Sequence, residues 1–220
     1  MPNSDSNFLR TIILLSVCFA FSGTTSSLTV SASSIVGYEI AGNKALATLP
    51  IAFHLIGTML AGIPASLLMK RVGRRYGFMI GTGIGAIGAA AATFSIIYSN
   101  FVLFCISIFC LGILSGFTQL YRFTAADVAS QEFRTKAVSL VMVGGILAGF
   151  IGPSVASKAK DLIADAPFAG SYLFVILFHV LIVAILFMIR LPQPSVEEQT
   201  GETRPLKVIF SQPKFIVAVL

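Results

Sequence analysis

Charge is what this sequence has least of. Asp, Glu, Lys and Arg make up 11% of 220 residues, against about 25% in an average soluble domain. None of them falls inside the apolar stretches 11–36, 46–69, 78–98, 101–121, 137–157 and 171–189. So small a charged fraction excludes an ordinary soluble globular class. Paired-cysteine metal motifs and phosphate-binding loops are also missing. The three cysteines, Cys18, Cys105 and Cys110, sit singly within the apolar stretches, and their odd number argues against structural bridging. No cofactor and no metal is expected, and ATP-driven transport has no support in the sequence.

Oil is what the sequence has in excess. Hydrophobic residues make up 56% of it, with a mean hydropathy of +0.91. They fall in six runs of about 20 residues, the length that crosses a hydrocarbon core of about 30 Å. A membrane barrel would show segments of about ten residues with alternating polarity, whereas these runs are longer and continuous. Helices, which satisfy their own backbone hydrogen bonds in lipid, are therefore the expected spanning elements. Arg10 and the first run, which carries the small residues VSASS, could be read as a cleaved secretory signal. At 26 residues, 11–36, the run exceeds the roughly 7 to 15 apolar residues of such a signal.

The few cations are placed asymmetrically. With the N-terminus inside, Arg10, Lys70, Arg71, Arg74, Arg75, Arg122, Arg134, Lys136, Arg190, Arg204, Lys207 and Lys214 lie on the inner side. Lys44, Lys158 and Lys160 lie outside. Cations are retained on the cytoplasmic side of short loops, so the N-terminus is expected in the cytoplasm. The net charge of +6 is accounted for by this anchoring at the lipid surface. No nucleic-acid motif accompanies it, and no nucleic-acid partner is expected.

The densest basic knot carries a more specific signal. Residues 66–75, SLLMKRVGRR, resemble the G-x-x-x-D-R-x-G-R-R loop between the second and third helices of the major facilitator superfamily. Arg71, Gly73, Arg74 and Arg75 match, while Ser66 replaces a glycine and Lys70 the aspartate that helps latch the family's two halves. In YRFTAADVASQEFRTKAVS, Asp127 and Arg134 stand where the family has an acid and an arginine at the inner end of its fourth helix. The fifth run, with Gly149, Gly152 and Pro153, resembles the glycine-proline motif of drug:proton antiporters, with Ala148 at the expected inner glycine. Ile108 stands where many members have an arginine in the fourth helix.

The resemblance implies an all-α membrane fold: six transmembrane helices as two three-helix repeats, forming one half of a twelve-helix transporter. On that basis residues 1–190 are expected to be the six-helix bundle, 191–210 a cytoplasmic linker, and 211–220 the truncated start of a seventh helix. The implied function is movement of an unnamed small molecule by alternating access in partnership with the missing C-terminal half, in a bacterial inner membrane. Arg71, Gly73, Arg74, Arg75, Asp127 and Arg134 would form the cytoplasmic gate, with Asp127 and Arg134 paired as its latch or simply as a solvated pair at a helix end.

Candidate site residues lie on helical stripes, because positions three and four apart share a face. Ser22, Ser26, Thr29 and Ser33 form one such stripe, and Ser115, Gln119 and Arg122 another. The resemblance places both helices along the substrate cavity, although membrane serines also bond to their own backbone, and Arg122 could instead snorkel to headgroups. His54 and His179 are the neutral-range titratable groups inside the spans, candidates for proton coupling or simply packing residues. Gly81, Gly85, Gly88 and Ala92 in the third run, with Gly112 and Gly116 in the fourth, suit close helix contact. Two other readings have some basis: a non-transporting receptor or scaffold on the same fold, and a rhomboid-like protease using Ser115 and His179. For the protease, Ile113 occupies the place of a required glycine, and no glycine follows His179. A non-enzyme is expected.

Overall fold

The computed structural model describes residues 2–189 and Leu191. Residues 192–210 of the expected linker, the expected start of a seventh helix, and Arg190, Arg204, Lys207 and Lys214 lie outside the described residues. Seven α-helices are described: α1 (Pro2–Ile40), α2 (Leu49–Val72), α3 (Arg74–Ile97), α4 (Phe101–Thr118), α5 (Tyr121–Val128), α6 (Arg134–Lys158) and α7 (Ala169–Met188). No strand occurs among the described residues. The six apolar runs each become one membrane-length span, with α4 and α5 together forming the fourth.

Element boundaries follow local chemistry. The Asn100 side chain accepts from the Leu103 amide at 3.0 Å and caps α4. Pro50 stands in the first turn of α2, where its missing N–H has no helical partner to lose. Gly73 ends α2 and starts α3 with φ 88° and ψ 157°, a region almost restricted to glycine. The glycine of the basic loop is thus required by the backbone. Between α4 and α5, Leu120 N bonds Phe117 O at 3.0 Å, a tightened turn that leaves Gln119 exposed at the break.

Helix pairing crosses between the two halves of the sequence. α1 packs most extensively on α6, and α2 on α4, while α3 and α7 pack on each other behind α4 and α1. Both main pairs are parallel. On α1 and α6, Gly144 lies against Ser16, Gly23 against Ala148, and Gly152 against Ser27. On α2 and α4, Gly112 lies against His54 and Gly116 against Ala61. The second helix of each three-helix repeat therefore rests on the first helix of the other. Hydroxyls stitch the same crossings: Ser16 donates to Leu140 O at 2.9 Å, and Thr58 to Gly112 O at 3.1 Å.

The interior is layered along the membrane normal. One apolar cluster gathers Ile12, Leu15, Met69, Phe78, Phe117, Tyr121, Val141, Ile182 and Leu186 toward one end of the bundle. A second gathers Leu28, Val36, Ile96, Phe104, Ile108, Tyr172 and Val175 toward the other. Between them, Ser22, Thr25, Thr82, Ser115 and His179 form a buried polar waist.

Candidate functional site

The waist is joined by a short polar chain across three helices. Ser26 Oγ on α1 lies 2.6 Å from Ser115 Oγ on α4, which lies 3.4 Å from His54 Nε2 on α2. Each hydroxyl has one proton to give. Ser115 can donate to Leu111 O at 3.2 Å and accept from both neighbours, with His54 carrying its proton on Nε2. In the other tautomer, Ser115 donates to Nε2. His54 is 4% exposed, and its Nδ1 meets no partner of good geometry.

The chain opens on one side of the bundle. Val30, one turn from Ser26 on α1, is 48% exposed, and Gln119, one turn from Ser115, is exposed. α2 and α6 flank this opening, each packed mainly on one neighbour and exposing an apolar face that includes Met59 and Phe150.

The remaining candidate residues are dispersed around this point. Ser33 Oγ lies 3.4 Å from the Tyr172 hydroxyl on α7. The hydroxyls of Ser22, Thr29 and Thr82 are buried without partners of good geometry, and Ser22 and Thr82 both approach the Tyr121 hydroxyl. Half-buried Arg122 lies with its guanidinium 5.0 Å from the Phe123 ring centroid.

The two histidines have different settings. His179 Nδ1 lies 2.6 Å from its own helix carbonyl at Val175, and Nε2 faces Gly85 with no partner. A rhomboid-like pairing of Ser115 with His179 is therefore corrected: the histidine beside Ser115 is His54, on α2. That pairing was not legible, because nothing in the sequence indicates which helix will face Ser115. The glycine at 112, which lets α2 approach α4, was the available signal.

At the other end of α2, the basic loop is pinned by its two final arginines. Arg74 donates to Thr124 Oγ1 at 3.1 Å and forms an ion pair with Asp127. Arg75 donates to Phe187 O at 3.1 Å and covers the Phe187 ring. Arg71 is exposed. The expected partnership of Asp127 with Arg134 is corrected: α5 turns Asp127 toward α3, and Arg134, the first residue of α6, is exposed. Phe78 and Tyr121 stack with centroids 3.9 Å apart and set α5 on α3.

On α6 the glycine-proline segment divides. Gly152 meets α1, whereas Gly149 has open space beside it, and Ala148 fills the contact against Gly23. Among the described residues, no cluster of three or more His, Cys, Asp or Glu side chains is placed to hold a metal.

Six spans with crossed parallel pairs and a polar waist define a helical integral membrane bundle. The chain belongs to the Major Facilitator Superfamily, whose sequence profile matches residues 14–220. It is 34% identical over 214 residues to the riboflavin transporter RfnT of Brucella anthropi, covering 96% of this chain and 53% of RfnT. It is 31% identical over 204 residues to the uncharacterised MFS-type transporter YdeG of Bacillus subtilis, covering 90% of this chain and 46% of YdeG. The chain thus spans about half the length of these curated relatives. The solved POT family transporter PepTSo shares the fold, with a TM-score of 0.69 at 16% identity over 93% of this chain and 41% of that one.

Proposed function

We propose that this chain forms one six-helix bundle of a secondary transporter that carries riboflavin or a closely related flavin by alternating access. A second bundle would cover the face bounded by α1, α2, α4 and α6, and the two would rock about a site near the bilayer midplane. The observation that carries this reading is the Ser26–Ser115–His54 chain, which reaches the open side of the bundle between its two apolar clusters. The flavin is suggested by the likeness to RfnT. The loop containing Gly73, Arg74 and Arg75 would serve as the cytoplasmic gate, with Asp127 as its counter-charge.

Uptake of labelled riboflavin by proteoliposomes containing the complete gene product that carries this chain tests the proposal. Saturable uptake, competed by unlabelled riboflavin, is expected. Liposomes that accumulate no more label than protein-free controls would refute it.

A further inference from the structure

We infer that the Ser26–Ser115–His54 chain reads uncharged hydroxyl groups of the ligand, and that the site rejects the phosphorylated form of the same molecule. The inference rests on the flavin reading above and specifies which part of the ligand meets which side chains. For riboflavin, that part is the hydroxylated ribityl chain.

Three observations support it. First, the six apolar stretches contain no charged residue, so at this depth these spans give a phosphate no counter-charge for the water it would lose. The next cation in the chain beyond Ser115 is Arg122, on α5 past the turn at Gln119–Leu120. Second, the chain is unsaturated at its buried end and accessible at its rim. His54 Nδ1 lacks a partner of good geometry, and Ser26 is half-buried beside exposed Val30. Third, in both arrangements of the chain Ser115 accepts from Ser26, which leaves the Ser26 oxygen as an acceptor at the rim. A polyol hydroxyl can donate to that oxygen. A phosphate dianion only accepts and cannot.

The test uses the reconstituted complete gene product. It compares riboflavin, riboflavin 5′-phosphate, and lumiflavin, which has the ring system without the hydroxyl chain, as competitors of riboflavin uptake. The wild type is expected to prefer riboflavin to its phosphate by roughly tenfold or more. Ser115→Ala and His54→Gln are each expected to raise the KM for riboflavin roughly 3- to 10-fold, the loss of about one neutral hydrogen bond. Inhibition by lumiflavin should stay near wild type. Ser26→Ala, at the half-buried rim, provides the same comparison if Ser115→Ala does not insert. A purely structural role would weaken lumiflavin and riboflavin together, and that result overturns the inference. So does a phosphate that competes as well as riboflavin. A wild type that transports no flavin fails in a different way, by removing the flavin reading and the inference with it.

Discussion

Gly149 and Gly152 stand three residues apart on α6, yet only one of them is needed for packing. A Cβ added at Gly152 would lie 2.6 Å from Ser27 Cβ and 2.8 Å from Leu28 N on α1, whereas at Gly149 nothing lies within 4 Å. Overpacking such a crossing costs about 1–3 kcal/mol. Replacing a helical glycine by alanine in open space gains about 0.5–1 kcal/mol. Gly152→Ala is therefore expected to lower the thermal midpoint in detergent, and Gly149→Ala to leave it unchanged or raise it. A thermal unfolding scan of the two variants checks this contrast. The sequence spacing correctly marked glycines for close contact, and Gly85, Gly88, Gly112 and Gly116 all lie against neighbouring helices. It did not separate Gly149 from Gly152, because which face of α6 meets α1 is decided by the partner.

At the scale of elements, the short helix α5 is the piece whose placement the sequence left open. Its acid, Asp127, was recognised, but its partner was read as Arg134 on the next helix in the chain. The turn at Gln119–Leu120, followed by stacking of Tyr121 on Phe78, swings α5 onto α3 and gives Asp127 to Arg74. Both side chains are partly exposed, at 31% and 50%, so the pair contributes about 1 kcal/mol or less to stability. Asp127→Asn is accordingly expected to leave expression and thermal midpoint near wild type. If the pair serves the proposed gate, the same variant slows transport, and the charge swap Arg74→Asp with Asp127→Arg restores part of the rate. Initial uptake rates of the three proteins at equal reconstitution decide it. Span number and the small-residue contacts were legible because they depend on composition and spacing. Pairing was not, because it depends on how helices from different parts of the chain meet.

For the whole molecule, the crossed pairing of α1 with α6 and α2 with α4 bears on how the protein is made. Chains emerge from the ribosome at roughly 5–20 residues per second. When α3 has just been synthesised, the partner helix of α2 does not yet exist, and neither does that of α1. The His54 carbonyl face of α2, which closes on Gly112 in the finished bundle, must wait in lipid or beside the insertion machinery until α4 arrives. Nascent chains arrested after residue 98 are therefore expected to hold α2 in a cross-linkable, translocon-adjacent setting. Those extended past residue 158 should release it. Assembly of this bundle is then an exchange between its two repeats once α4 and α6 have been made, and substitutions that spoil the α2–α4 or α1–α6 crossings should act first as defects of biogenesis, seen as turnover of newly inserted chains by membrane proteases.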